Sequence, residues 1–84
     1  MNSKIQSTGD LTTEDPIVRF VRERRTKLGY TQQQLAQRVG VGLRFLRELE
    51  GGKPSLRLDK VNQVLRFLGA ELAPRPLNSR DDDA

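Results

Sequence analysis

Cysteine and histidine are both missing from this chain of 84 residues. Without cysteine there is no disulfide framework and no thiolate metal site. Without histidine the commonest metal ligand and general base is gone. These absences argue against an enzyme and against a bound metal or cofactor. Tryptophan is absent too, and Phe20, Tyr30, Phe45 and Phe67 are the only aromatic residues. With 35% hydrophobic residues, the chain can build one small domain around a modest core. Self-association would add burial that such a core lacks. No apolar run approaches the roughly 20 residues of a membrane-spanning helix, and the N-terminus has no apolar signal-peptide core. The expectation is a cytoplasmic protein without membrane contact.

What the chain has in quantity is positive charge. The net charge is +4, yet Arg80, Asp81, Asp82 and Asp83 form an acidic tip, so residues 1–79 carry +6. Between Pro16 and Arg57 ten Lys and Arg residues face three Glu. A basic domain of this kind suits a polyanionic partner, although a solvated basic surface has the same composition.

Residues 29–54 organise the rest, reading G-Y-T-Q-Q-Q-L-A-Q-R-V-G-V-G-L-R-F-L-R-E-L-E-G-G-K-P. Thr31 is placed to cap a helix, and Gln34 three residues on completes a capping box. Leu35, Ala36 and Val39 share one face. Gly40 can take the left-handed conformation that ends a helix. Val41 then turns inward, and Gly42 opens a second helix that buries Leu46, Leu49 and part of Phe45. Two short helices joined by a glycine turn are a helix-turn-helix unit, or else an ordinary helical hairpin.

The pattern T-Q-x-x-L-A-x-x-V-G-V-x-x-x-x-L-x-x-L-E-x-G-K resembles the Xre/Cro–cI family of DNA-binding repressors over about half the chain. The resemblance implies a small all-α, lambda-repressor-like domain of four helices. It also implies that Arg25 in the first helix pairs with Glu50 at the end of the third. Gly42 and Leu43 depart from the family, which often has a small hydroxyl or amide residue at the start of the third helix.

Three segments are expected: an N-terminal arm over 1–13, the DNA-binding domain over 14–73 and a disordered acidic tail over 74–84. The first helix begins with Asp15 as cap and Pro16 at its first position. Ile17, Phe20, Val21 and Leu28 form its apolar stripe, with Arg24 and Arg25 on either side. Gly51 to Ser55 make a turn-rich loop. A fourth helix, from about Arg57 to Leu68, carries Leu58, Val61, Val64, Leu65 and Leu68 inward and ends at Gly69.

After it, Ala70, Glu71, Leu72 and Ala73 precede Pro74 and Pro76. This is too short and too proline-rich for a fifth helix and has the length of a strand. R-L-D-K-V-x-x-V-L-x-x-L-G-A-E-L resembles the HipB-type antitoxins, in which that strand pairs with its twin across a two-fold axis. The resemblance implies a homodimer, with Phe67, Leu68 and Leu72 at the interface, and a HipA-like kinase toxin as partner.

In a helix-turn-helix protein the third helix lies in the major groove. Leu43, Arg44, Arg47 and Glu48 face away from Leu46 and Leu49. Arg44 and Arg47 are the expected base readers, since a guanidinium can bond guanine O6 and N7 together. Leu43 suits a thymine methyl, and Gln33 reaches either the backbone or a base edge. Thr31 and Gln32 at a helix N-terminus favour a phosphate, and Lys53, Ser55 and Arg57 grip the backbone on the opposite side. A dimer would need a palindromic operator on double-stranded DNA. The expected function is a sequence-specific repressor at the nucleoid, acting as the antitoxin of a toxin–antitoxin pair. The alternatives are a stand-alone regulator, such as a phage repressor or restriction-modification controller, and a protein-interaction module that does not bind DNA.

Overall fold

The structure, a computed structural model, describes residues 15–77. The expected arm over 1–13 and most of the acidic tail lie outside the described residues; residues 74–77 have no regular structure and are exposed. Four helices follow in order: α1 (Pro16–Leu28), α2 (Gln32–Val39), α3 (Leu43–Glu50) and α4 (Leu58–Phe67).

Local chemistry sets nearly every boundary. Asp15 starts α1 by accepting the Ile17 N–H on its carboxylate at 2.7 Å, with Pro16 at the first helical position. The capping box of α2 closes in both directions. The Gln34 N–H donates to Thr31 Oγ1 at 3.0 Å, and the Thr31 N–H to Gln34 Oε1 at 2.9 Å. Gly40 ends α2 at φ 90°, a conformation costly for any residue with a Cβ. It turns the chain within two residues into α3, whose cap Gly42 is extended and offers no side-chain bond.

The core is one cluster to which every helix contributes. Val21 comes from α1, Leu35 and Ala36 from α2, Leu46 and Leu49 from α3, and Val61, Val64 and Leu65 from α4, with Leu68 just beyond. Leu35, Leu46, Val21 and Val64 have essentially no exposed surface. Helix α3 packs against both α1 and α2, and α2 against α4. Helix α3 is therefore seated on two others by a stripe of leucines, and its opposite face is left to solvent.

Three expectations need correction. Leu58, expected inward, is 72% exposed at the first position of α4, ahead of the turn that packs on the core. In α1, Val18 is buried whereas Leu28, in the last turn, is about half exposed. Arg25 takes up the inner side of that turn, sending its guanidinium into the protein. The all-α bundle is as expected, but its C-terminal dimerising strand is not: among the described residues there is no β-strand, and 70–77 run without regular structure. A strand is defined by the edge it pairs with, and residues 70–73 find none. Instead the Ala70 N–H bonds the Leu65 carbonyl at 2.8 Å, and the Leu72 N–H donates to Asn62 Oδ1 at 2.8 Å. The side chains of Ala70 and Leu72 then pack on the chain's own core.

Candidate nucleic-acid interface

Glu50, the last residue of α3, is the buried charged residue among those described, at 4% exposure. Arg25 Nε donates to Glu50 Oε2 at 2.7 Å, and a second guanidinium nitrogen donates to Oε1 at 3.0 Å. The third nitrogen of Arg25 reaches the Tyr30 carbonyl at 2.9 Å. Gln32 Nε2 adds a bond to Glu50 Oε1 at 3.1 Å, and Arg22 donates to the Glu50 backbone carbonyl at 2.9 Å. A buried carboxylate must have its lone pairs met, and here the donors come from α1 and the first residue of α2. The network fixes the end of α3 against the start of α2, which sets the angle at which the outer face of α3 is presented.

That outer face carries Arg44, with a side chain 92% exposed, and Arg47, also exposed. Leu43, at the first position of α3, is half-buried, and so is Glu48. Arg44 lies 3.4 Å from the Glu48 carboxylate one turn away, and Lys53 Nζ lies 3.5 Å from its other oxygen. Arg47 has no ion-pair partner among the described residues. Gly52 at φ 83° lets the chain double back, so that the Lys53 N–H bonds the Glu48 carbonyl at 3.0 Å. The loop cation is thereby held beside α3.

Flanking this face, Thr31 and Gln33 are exposed at the start of α2, and Lys53 and Ser55 in the loop after α3. In the first turn of α2 the Gln34 N–H is taken by Thr31 Oγ1, while the N–H groups of Gln32 and Gln33 have no carbonyl within the helix to bond, as at any helix start. Arg57 lies further along and is already occupied: it grips Asp59 with two bonds, of 3.1 and 2.6 Å. The hydrogen bond from Arg57 holds the Asp59 carboxyl below the usual carboxylate range, and the same bond raises Arg57. Among the described residues no group of acidic side chains could hold a metal ion, and no helix is long and apolar enough to cross a membrane.

The helix-turn-helix family model matches residues 21–74, which span the last two turns of α1 through the segment after α4. An uncharacterised HTH-type transcriptional regulator of Sinorhizobium fredii is 39% identical over 72 residues, covering 86% of this chain and 87% of its own. A second uncharacterised HTH-type transcriptional regulator, from Methanothermobacter thermautotrophicus, is 43% identical over 52 residues, covering 62% of this chain and 75% of its own. The chain is a helix-turn-helix transcriptional regulator of the Xre/Cro type. No solved structure matches it.

As a helix-turn-helix regulator it is a DNA-binding protein and not an enzyme. Several contacts of its interface escape sequence reasoning. Gln32, expected at a phosphate, has its side chain turned onto Glu50. Arg22 joins the same network from one turn before Arg25, and Arg24 secures the end of α4 through the Leu68 carbonyl at 3.0 Å. The Arg57–Asp59 pair had a local signal, opposite charges two residues apart at a helix start. Of the three residues expected at a dimer interface, Phe67 is 42% exposed, Leu72 is half-buried and Leu68 belongs to the core.

Proposed function

We propose that this regulator is a sequence-specific repressor that binds a palindromic operator as a homodimer and sets α3 in the major groove of each half-site. One observation carries this reading: Leu46 and Leu49 anchor α3 in the core, while Arg44 and Arg47 stand in solvent on its other face. In this docking Arg44 and Arg47 bond guanine edges, Leu43 lies against a thymine methyl, and Gln33 meets the base or backbone beside α3. Thr31 and the first N–H groups of α2, including that of Gln32, face one phosphate strand. Lys53 and Ser55 face the other, and Arg57 joins them if a phosphate displaces Asp59.

Truncation of Arg47 tests the base reading, and truncation of Lys53 tests the phosphate contact. Arg47→Ala should cost about 1–3 kcal/mol on the best operator and relax the preference at one base pair. Lys53→Ala should weaken all sequences alike and lower the salt slope by about one. Fluorescence anisotropy against operator and scrambled duplexes at several salt concentrations measures both. If both variants behaved as wild type, α3 would not be the reading element.

The homodimer rests on Phe67, whose exposed ring lies 6.3 Å from that of Tyr30 on the surface of α4. A dimer bound to a palindromic operator needs its two copies of α3 about 34 Å apart on one side of the DNA. Phe67→Ser should then give a monomer in sedimentation and weaken operator binding by about 100-fold, because each half-site is bound alone. A Phe67→Ser protein that remained dimeric would move the interface elsewhere.

The antitoxin role, with a HipA-like kinase toxin as partner and autoregulation of a shared operon, is supported by the resemblance over residues 57–72. Co-expression with a kinase-like protein encoded next to it tests that role, which fails if the two do not co-purify.

A further inference from the structure

We propose that Glu48 is a specificity-determining residue, a built-in counter-charge that keeps the recognition face from holding arbitrary DNA. The inference rests on the DNA-reading assignment of Arg44 and Lys53 made above and adds a residue to it. Glu48 sits on the same outward face of α3, and its two carboxylate oxygens are divided between those two cations, at 3.4 Å from Arg44 and 3.5 Å from Lys53. Its side chain is 29% exposed, less than that of either cation. The backbone bond from Lys53 to the Glu48 carbonyl, 3.0 Å long, fixes that arrangement.

Further along, Arg57 is matched by Asp59 in the same manner. Of the four cations assigned to DNA, only Arg47 therefore meets it without a carboxylate among the described residues. Glu48 and Asp59 set two negative charges against these four positive ones, so the face keeps a net charge of +2.

The consequence differs between DNA sequences. Exposed ion pairs are weak, and a phosphate can compete for Arg44 or Lys53, but taking either one uncovers a carboxylate beside a polyanion. On arbitrary DNA the exchange gains a phosphate contact and leaves that repulsion, so little is won. On the operator Arg44 gains a bidentate bond to a guanine edge, which offsets the lost pair. The carboxylate thus lowers non-specific binding more than specific binding, and the ratio between them rises.

The experiment titrates the full chain and its Glu48→Gln variant against the selected operator and a scrambled duplex of equal length, across a salt series. Glutamine keeps the size and helix preference of the side chain, and an unchanged melting temperature shows that folding is intact. The expected result is scrambled-duplex binding about five-fold tighter, with a salt slope steeper by about one. Operator affinity should move by less than about two-fold, so that discrimination falls. The inference is overturned if scrambled-duplex binding does not tighten, or if both duplexes gain by the same factor. Arg44→Ala, measured in parallel, separates the two levels. Operator binding equal to wild type in that variant would remove the DNA-reading assignment itself. A loss there, together with unchanged discrimination in Glu48→Gln, would remove only the role of Glu48.

Discussion

Arg25→Ala is expected to cost about 3–5 kcal/mol of folding stability, although it deletes an exposed-looking arginine from a chain rich in them. The reason is what stays behind. Glu50 is 4% exposed, and two of the three donors to its carboxylate belong to Arg25. Without them the carboxylate keeps Gln32 alone and must be desolvated nearly unpaired. The Tyr30 carbonyl loses its Arg25 donor as well. A domain of this size holds only about 5–10 kcal/mol in total, so the variant should be close to unfolding at physiological temperature. Replacing both partners by apolar residues of similar volume should cost less than Arg25→Ala alone, because no charge is then stranded. Urea denaturation checks both statements through a lowered midpoint at an unchanged m-value. A loss below about 1 kcal/mol in Arg25→Ala would mean that the pair behaves as a solvated surface contact.

Leu46→Ala should be comparably damaging, at about 3–5 kcal/mol, by a different route. Leu46 has no exposed surface and stands at the middle of α3, packed with Leu35 and Val21 in the shared core. Truncation removes apolar contact and leaves a cavity that the surrounding helices close only in part. Its effect on DNA binding should follow its effect on folding, so that saturating operator restores part of the melting temperature. Arg47→Ala should show the reverse pattern, with an unchanged melt and impaired binding. A Leu46→Ala protein that melted like wild type would mean that α3 is held by something other than its leucine stripe.

The parts of the fold that can be read from the sequence are those fixed within a few residues. Thr31 and Gln34 close their capping box, and Gly40 turns the chain at φ 90°, because caps depend on neighbours three or four positions away. The inward face of α3 follows from spacing alone, and so does that of α4 except for Leu58, which fits the period but stands exposed at the helix start. What could not be read depends on distant partners. Leu28 fits the periodicity of α1 but lies in its last turn, where Arg25 takes the inner side. Gln32 sits at a helix start that suits a phosphate, yet its side chain finds Glu50 eighteen positions away. Residues 70–73 have a strand's length and a closing proline, but a strand needs an edge, and Asn62 of the same chain meets the Leu72 N–H first. The charge count likewise could not show that Glu48 and Asp59 lie against three of the four cations assigned to DNA.

The central claim is that the outward arginines of α3 read guanines in the major groove. Methylation interference at guanine N7 tests it most directly, using operator sequences selected from a random pool by the purified protein. The account predicts that methyl groups at two guanines in each half-site block binding, and that Arg44→Ala and Arg47→Ala each abolish the interference at one of them. Binding that is indifferent to N7 methylation, or an interference pattern unchanged in both variants, would contradict it.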